Sequence, residues 1–395
     1  MTRIALTFPA AHHRGGVERI SWEMARYLAP RHDVTFVGHE LEPEQLGPVT
    51  PSLFPRRLRP ALQPITFRRD ASKRLSDLAP DVTVSLGANC PSGDVLVVNS
   101  VHRAWLEMGK TMTVGRVRVP NRARYLLLRH QVLLQLERSY FTKRSPSAVI
   151  AVSQTVIDDL VRLYDIDPAC CYVIPNGFSA SQCSPERSAS LRASMRGELG
   201  IADDQIALLM VANELHRKGL GVLLEAVHRA DDPRLHIHVV GRMAPTDFLA
   251  TAERLGLSDR LHYHGATSDV ARFHAAADLF VLPTQYEAFA LAIVEALASG
   301  LPVITTSVPG AGDLMRHDVN GLIQTDPLDA DELAGLLTAA LDAERRTGWS
   351  KAAAPSVAEY EWDALMARAE DVILGAATNA TTMTPNPRDT PTPAG

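Results

Sequence analysis

Two glutamates stand eight residues apart in the stretch YEAFALAIVEAL, residues 286–297. From Phe289 onward this stretch is apolar on every side, and a helix of that kind is normally buried. Glu295 lies within it, although a buried carboxylate is costly unless it has a partner. Eight residues at about 100° each bring Glu295 only roughly 80° round a helix from Glu287. We therefore place Glu287 in the loop before the helix and Glu295 on the helix wall.

The segment around these glutamates predicts a strand, a loop, a helix and a second strand. The first strand is 279–283, and the helix begins near Phe289 and ends before Gly300, which suits the position after a helix C-terminus. The first helical turn leaves free amides, which can bind phosphate. These amides belong to Phe289, Ala290 and Leu291. A sugar–diphosphate–ribose ligand would satisfy the amides and both carboxylates, and the alternative is a core Glu295 paired with an arginine or a backbone N–H.

Two adjacent cations, Arg217 and Lys218, follow another predicted strand and precede an amphipathic helix. Gly219 comes next and lets the chain turn tightly. A diphosphate needs such charge, because a departing nucleoside diphosphate accumulates negative charge as its bond breaks. A solvated pair at a helix start is the alternative, and it is disfavoured because cations oppose the helix dipole there.

Two further features follow strand ends in the first half of the chain. Gly15 and Gly16 come straight after the first strand and would let the backbone approach a ligand closely, although the G-x-G-x-x-G dinucleotide fingerprint is missing. His102 follows a strand at 94–99, where it could hydrogen-bond a sugar hydroxyl or a developing charge. A structural histidine is the alternative for that position.

The composition is that of an ordinary globular chain. It has 395 residues, 46% of them hydrophobic and 22% charged, which is enough for two domains with sizeable cores. No run approaches the roughly 18 apolar residues of a membrane span, and the start of the sequence has no signal-peptide pattern. The four cysteines show neither metal-ligand nor disulfide spacing. We therefore expect a reduced, cytoplasmic protein.

The charge is spread unevenly along the chain. Residues 1–176 hold 23 Lys and Arg against 16 Asp and Glu, whereas residues 177–395 hold 17 against 29, so the balances are +7 and −12. This asymmetry predicts either an anionic partner for the first half or a drift of solvated surface charge.

Short β-branched runs alternate with helical segments almost from end to end. Continuous apolar strands separated by helices predict parallel sheets covered on both faces. The strands are expected at 4–8, 33–38, 81–87, 94–99 and 148–153, and the rhythm restarts after residues 172–178 with strands at 206–213, 235–241, 261–265, 279–283 and 302–306. The two sets predict two doubly wound α/β domains, with ligands bound at the carboxyl ends of the strands in a cleft between the domains.

Together these residues resemble the family 4 glycosyltransferases, which have the GT-B fold and retain the anomeric configuration of the donor sugar. The resemblance covers residues 1–375 and is strongest at 206–325, where the two glutamates stand with seven residues between them. The segments 151–160, 173–178 and 307–323 are also similar to family motifs. The resemblance implies two Rossmann-like domains facing across a cleft, and a nucleoside-diphosphate sugar as the donor.

The resemblance also implies a role for each candidate residue. Glu295 would hold the ribose hydroxyls of the nucleotide, and Glu287 would contact the donor sugar. Arg217 and Lys218 would neutralise the diphosphate, and His102 would contact the transferred sugar. The other implied donor contacts are Gly15, Gly16, Asn213, Phe289, Ala290 and Leu291.

The sequence departs from the family pattern in two places. Ala212-Asn213 stands where many relatives carry Gly-Arg, and the adjacent Arg217-Lys218 pair compensates, as in a subgroup similar to lipopolysaccharide-core transferases. Ala290 replaces a common glycine, which affects the sugar contact more than the activity. By the resemblance, the acceptor hydroxyl attacks the face that the diphosphate leaves, and the leaving phosphate takes the proton. No dedicated base, metal or other cofactor is expected.

The resemblance divides the chain into four parts. We expect an acceptor-side Rossmann-like domain at 1–178 and a nucleotide-sugar-binding Rossmann-like domain at 179–358. A helix at 359–377 would cross back to the first domain. Residues 378–395 are rich in Thr and Pro and have little to bury, so they are predicted to be a disordered tail.

Acceptor recognition would fall to the first domain, where arginines concentrate at 54–74 and 115–144. In the second segment apolar residues recur at helical spacing among the arginines, and such a helix can sit on an anionic membrane surface. These apolar residues are Leu126, Leu127, Leu133, Leu134, Tyr140 and Phe141. We expect a glycan or lipid-linked acceptor and peripheral contact with the inner face of the membrane. The alternative acceptor is a small molecule. The alternative for the apolar stripe is that its residues belong to the ordinary hydrophobic core.

Two other functions fit the same features. One is a sugar-nucleotide epimerase of the same fold, which would release an altered sugar without any acceptor. The other is a non-catalytic nucleotide-sugar binding protein, against which the joint presence of Glu287, Glu295, Arg217, Lys218 and His102 argues. A nucleic-acid partner is not expected, because the basic segments lack interleaved stacking aromatics.

Overall fold

The structure is a computed structural model that describes residues 1–12, 17–43, 46–55, 63–107, 111–114, 117–120, 125, 127–142 and 146–382. It divides into two compact units. The first contains residues 1–174 and the chain from Met366 onward, and the second is Pro175–Leu365. The predicted ligand glycines, Gly15 and Gly16, lie outside the described residues. Within the described part of the chain, no helix has the length and apolar character needed to cross a membrane.

The first unit is built on a parallel sheet. Its strands are β1 (Arg3–Thr7), β2 (Ala10–Ala11), β3 (Asp33–Gly38), β4 (Glu40–Leu41), β5 (Thr50–Leu53), β6 (Val82–Leu86), β7 (Val95–Val98), β8 (Thr111–Val114), β9 (Val117–Pro120), β10 (Ala148–Ala151) and β11 (Cys171–Val173). Seven of them form one sheet in the order β11-β10-β7-β6-β1-β3-β5, while β2 pairs with β4 and β8 pairs antiparallel with β9. The central strands are buried on both faces, which explains their Val- and Leu-rich sequences.

The helices of the first unit include one that carries most of the predicted apolar stripe. They are α1 (Val17–Leu28), α2 (Gln63–Leu78), α3 (His102–Glu107), α4 (Leu128–Thr142) and α5 (Gln154–Tyr164). In the basic segment 115–144, β9 precedes α4, and α4 contains Leu133, Leu134, Tyr140 and Phe141 of the predicted apolar stripe. Tyr140 and Phe141 are buried, so that end of the apolar stripe is core, whereas Leu127 is 52% exposed. Leu126 lies outside the described residues.

The second unit has a parallel sheet of six strands in the order β14-β13-β12-β15-β16-β17. The strands are β12 (Ile206–Val211), β13 (Leu235–Val240), β14 (Leu261–Tyr263), β15 (Leu279–Leu282), β16 (Val303–Thr306) and β17 (Gly321–Gln324). The helices are α6 (Pro185–Leu199), α7 (Leu220–Ala230), α8 (Leu249–Arg254), α9 (Ala271–Ala276), α10 (Leu291–Ala298), α11 (Ala330–Ala339) and α12 (Ala343–Ala353). The direction of strand addition reverses between β12 and β15, and such a switch point is where ligands bind in this class of sheet.

Helix α10 begins two residues later than its sequence predicts. Ala290 stays outside the helix, because its N–H donates to the carbonyl of Gly310 at 2.9 Å. The predicted end is confirmed: the N–H of Gly300 donates to Leu297 and that of Leu301 to Ala296, which closes the helix with a Schellman motif.

The last helix, α13 (Trp362–Thr382), is longer than predicted. It begins in the second unit and continues in the first, where Arg368 donates to the carbonyl of Val173 at 2.8 Å and Glu370 pairs with His32 at 2.8 Å. The disordered tail was expected from residue 378, but residues 378–382 are helical, since the alanines around them favour a helix. The remainder, 383–395, lies outside the described residues.

A partly buried ion cluster fastens the amino-terminal edge of the second sheet. Asp278, just before β15, accepts hydrogen bonds from Arg192, from Arg196 and from the N–H of Ala207. Arg196 is only 8% exposed and also donates to the carbonyl of Gln205 at 3.0 Å. The cluster therefore ties α6 to the starts of β12 and β15.

Replacing Arg196 with Met should destabilise the protein by about 3 kcal/mol, because it leaves buried acceptors without their donor. Urea denaturation of the purified protein measures this change. The matched control is Arg272→Met, which breaks an exposed ion pair with Glu198 and should cost less than about 1 kcal/mol. Equal losses in the two variants would contradict the structural role of Arg196.

Candidate active site

Glu287 is a buried carboxylate with three side-chain partners in the candidate site. It lies in the loop between β15 and α10, as predicted, and is 6% exposed. One carboxylate oxygen, Oε1, accepts from Arg217 Nη1 at 3.3 Å, from the Lys218 ammonium and from Thr284 Oγ1 at 3.1 Å. The two cations and the carboxylate that the sequence singled out are therefore in direct contact at the switch point of the sheet.

The turn after β12 presents these cations because Gly219 permits a close approach. Gly219 has a φ of +85°, and a Cβ there would lie 2.1 Å from the carbonyl oxygen of Pro283 at the end of β15. This close approach lets the carbonyl of Arg217 accept the N–H of Gln285 at 2.9 Å. It also lets the Arg217 guanidinium donate to the carbonyl of Tyr286. The turn and the Glu287 loop are thus bonded along their backbones as well as through side chains.

Burial and the carboxylate act in opposite directions on the two cations. Burial is the largest influence on Arg217 and lowers its pKa, but Glu287 and Glu214 together outweigh it, so the pKa is raised. For Lys218, burial again dominates and the neighbouring Arg217 adds to it, so the pKa is lowered despite Glu287. Lys218 is therefore a desolvated cation whose charge depends on Glu287.

The loop after β16 supports Glu287 from behind. Gly310 has a φ of +80°, and a Cβ there would lie 2.7 Å from the carbonyl oxygen of Glu287. Its own carbonyl accepts the N–H of Ala290, and the N–H of Leu291 donates to Phe289. The prediction of free amides at this helix start is therefore wrong for Ala290 and Leu291.

The remaining predicted donor residues of this unit lie around the same edge of the sheet. Glu295 is half-buried on the wall of α10. Asn213 is exposed after β12, and its Oδ1 accepts the N–H of Arg242 at 2.8 Å, which links the ends of β12 and β13. Phe289 packs near Tyr360, with ring centroids 6.1 Å apart.

His102 belongs to the first unit, where a buried carboxylate fixes it. Glu137 of α4 is 2% exposed and accepts the N–H groups of His102 at 2.5 Å and Arg103 at 2.9 Å, so it caps the start of α3. The His102 ring stacks on Trp105 and hydrogen-bonds His130 through Nε2 at 3.1 Å. Burial raises the pKa of Glu137 even though hydrogen bonds to its charged form oppose that shift.

Sequence reasoning missed four residues that position these groups. Thr284 and Gly310 flank Glu287, while Glu137 and His130 flank His102. Only Glu137 had a visible signal, a carboxylate inside the apolar stripe that ends in Tyr140 and Phe141. The others act through tertiary proximity, which their spacing along the chain does not show.

Glu287→Gln should lower the pKa of Lys218 further, because the variant removes the negative charge that opposes burial. Competitive labelling of amines across a pH series, read by mass spectrometry, should show Lys218 becoming reactive at a lower pH than in the unmodified protein. The exposed Lys351 serves as the internal control and should titrate identically in both proteins. An unchanged Lys218 profile would show that Glu287 does not hold its charge.

Two family models match the chain side by side. The model for "Glycosyltransferase Family 4" matches residues 14–182, and that for "Glycosyl transferases group 1" matches residues 192–355. Between them they span both units apart from the ends and a short connection.

Curated relatives align with part of the chain. The lipopolysaccharide glucosyltransferase WaaG of Escherichia coli K12 is 28% identical over 63% of this chain and 68% of its own length. The D-inositol 3-phosphate glycosyltransferase of Xylanimonas cellulosilytica is 31% identical over 54% of this chain and 56% of its own length. The chain thus aligns with only about half of the second relative.

Solved structures match almost the whole chain. The crystal structure of WaaG superposes with a TM-score of 0.81 at 24% identity, covering 94% of this chain and 100% of that one. HepE of Anabaena in complex with UDP-glucose gives a TM-score of 0.69 at 19% identity, covering 97% and 100%. With the two family models, these similarities show that the chain belongs to the family 4 glycosyltransferases and has the GT-B fold.

Proposed function

We propose that the protein transfers a hexose-type sugar from a nucleoside diphosphate to an acceptor hydroxyl, with retention of the anomeric configuration. The observation that carries this proposal is the convergence of Arg217, Lys218 and Glu287 at the switch point between β12 and β15. Two cations there suit a diphosphate, and a carboxylate beside them suits a sugar hydroxyl. HepE, which shares the fold, was crystallised with UDP-glucose.

The charges of the site favour departure of the diphosphate. In the proposed reaction the acceptor oxygen bonds to the anomeric carbon while the bond from that carbon to the phosphate oxygen breaks. The negative charge that develops on the phosphate faces Arg217 and Lys218, which are already desolvated and oriented. The acceptor proton moves to the leaving phosphate on the same face, so the proposal needs neither a separate base nor a metal ion.

The other predicted residues take complementary roles in the proposal. Glu295 binds the ribose hydroxyls from the wall of α10, and Asn213 lies beside the diphosphate at the end of β12. His102 contacts the transferred sugar, and Glu137 holds His102 in place by capping α3. In this scheme Glu287 has two tasks, because it binds the sugar and keeps Lys218 charged.

The acceptor is proposed to be a lipid-linked or cell-envelope glycan, used in the cytoplasm at the inner face of the membrane. The similarity to WaaG, a lipopolysaccharide glucosyltransferase, supports a glycan acceptor. The exposed Leu127 and Leu128 at the start of α4, within the net positive first part of the chain, support contact with an anionic surface. A small-molecule acceptor is the competing candidate.

Nucleotide binding provides the first test. We expect one of UDP, GDP, ADP and dTDP to raise the melting temperature, because a ligand that binds only the folded state stabilises it. Glu295→Ala should weaken the binding of that nucleotide roughly tenfold or more. Lys218→Ala should mainly lower kcat, by about 100-fold. Glu253→Ala, an exposed glutamate on α8, is the matched control and should change neither quantity.

The outcomes of this test separate the candidate functions. Product formation only when an acceptor is present, with an unchanged anomeric configuration by NMR, supports the retaining transferase. An altered sugar released without any acceptor would indicate an epimerase instead. Unchanged binding in Glu295→Ala together with unchanged kcat in Lys218→Ala would overturn the assignment of the site.

Membrane contact is tested by sedimentation with anionic vesicles at low salt. We expect the protein to sediment with them, and the double variant Leu127→Ser/Leu128→Ser to bind about tenfold less tightly, since it removes apolar area from the surface. Leu328→Ser, which changes a 64% exposed leucine of the second unit, is the control and should bind like the unmodified protein. Absence of sedimentation would remove the membrane proposal and leave the sugar transfer untouched.

A further inference from the structure

A second pocket lies at the amino-terminal edge of the second sheet, at the opposite end of β15 from Glu287. Its volume is about 390 Å³, and it is bounded by the start of α6, the end of α10, the start of α12 and the residues that precede β15 and β16. We call it the amino-edge pocket. Its polar lining includes Ser188, Arg192, His274, Ser299, Arg346 and Ser350.

The amino-edge pocket carries excess positive charge. Arg192 and Asp278 both line the pocket and form an ion pair with each other, and Asp278 also pairs with Arg196, which is not among the lining residues. Arg346 adds a second guanidinium to the lining, so the lining holds two guanidiniums against one carboxylate. Arg346 donates to the carbonyl of Ala340, and within the described chain it forms no ion pair with a carboxylate. Asp342 also acts electrostatically on Arg346, and its Oδ1 accepts the N–H groups of Glu344 and Arg345 at the start of α12. The Arg346 guanidinium is therefore available to pair with a bound anion.

His274 forms a buried and neutral part of the pocket lining. It lines the pocket, is 2% exposed, and shares a hydrogen bond through Nδ1 with Ser299 Oγ at 3.3 Å. Its other ring nitrogen, Nε2, is buried and has no hydrogen-bond partner among the residues that the structure describes. Burial lowers the pKa of His274 to about 3, so the ring is neutral at physiological pH.

The size and lining indicate more than a bare inorganic ion. The volume exceeds that of a phosphate group, and the hydroxyls of Ser188, Thr347 and Ser350 share the walls with small apolar residues such as Ala277 and Leu301. Hydroxyls and guanidiniums together suit a polyol that carries a charged oxyanion. We propose that the amino-edge pocket binds a small phosphorylated metabolite of the sugar-phosphate class, with its phosphate on Arg346 and Arg192.

This site is distinct from the proposed donor site. Helix α10 begins beside Glu287 and ends at Ser299 and Gly300, which line the amino-edge pocket. Its eight residues span about 12 Å, so the two sites lie at opposite ends of one helix. Binding in the pocket is therefore measurable whether or not the proposed sugar transfer is correct.

Isothermal titration calorimetry with ribose 5-phosphate tests the proposal, with ribose as the uncharged counterpart. We expect saturable binding of ribose 5-phosphate with a Kd of about 1 mM or lower, and none for ribose. Arg346→Gln should weaken binding about tenfold or more, because a charged hydrogen-bond donor is lost. Lys351→Gln, which removes an exposed charge from the same helix, is the control and should stay within about twofold of the unmodified protein.

Two further variants locate the binding. Thr347→Phe keeps every charge but fills space at the exposed rim, so it should also abolish binding if the pocket is the site. Lys218→Ala should bind ribose 5-phosphate normally, and a loss there would assign the binding to the donor site and overturn the proposal. Three results would each overturn the assignment to a phosphorylated metabolite. They are the absence of saturable binding, binding by Arg346→Gln as tight as by the unmodified protein, and binding of gluconate, a carboxylate polyol, as tight as that of ribose 5-phosphate.

Discussion

The buried carboxylate of Glu287, placed between Arg217 and Lys218, determines much of the architecture around the proposed donor site. Three loops must converge for this contact to form: the turn after β12, the loop after β15 and the loop after β16. Gly219 and Gly310 permit that convergence, because a side chain at either position would collide with the backbone of the Glu287 loop or its strand. The two glycines therefore allow the charges of Arg217, Lys218 and Glu287 to come into contact.

A buried ion pair by itself is weak evidence for stability, since desolvation offsets much of its attraction. The arrangement makes more sense as preparation for chemistry. Removing water around Lys218 strengthens its interaction with any charge that develops nearby. Glu287 favours the charged form of Lys218 in the absence of a ligand. In the proposed reaction the two cations would bind the diphosphate as a second anion without moving far, so little reorganisation would be needed as the bond breaks.

The sequence predicted most of this framework, for identifiable reasons. Apolar runs mark buried parallel strands, so the central strands were found, while the edge strands β5 and β17 were missed because TPSL and GLIQ contain no such run. The edge position also tolerates Pro51 in β5. At the site, residue types indicated the cations and carboxylates. They did not indicate the hydrogen bond from the Ala290 N–H to the Gly310 carbonyl just before α10, because that contact joins segments twenty residues apart.

The first unit buries a carboxylate by different means, and the contrast explains what each arrangement can do. Glu137 is held by the backbone N–H groups of His102 and Arg103 and by the hydroxyl of Tyr164, which are dipoles. Its pKa therefore rises with burial, and it fixes the direction of a helix start. Glu287 is held by two full charges and maintains an electric field. Dipoles are sufficient to orient a histidine ring toward a sugar, whereas only charges can answer the charge that a leaving diphosphate develops.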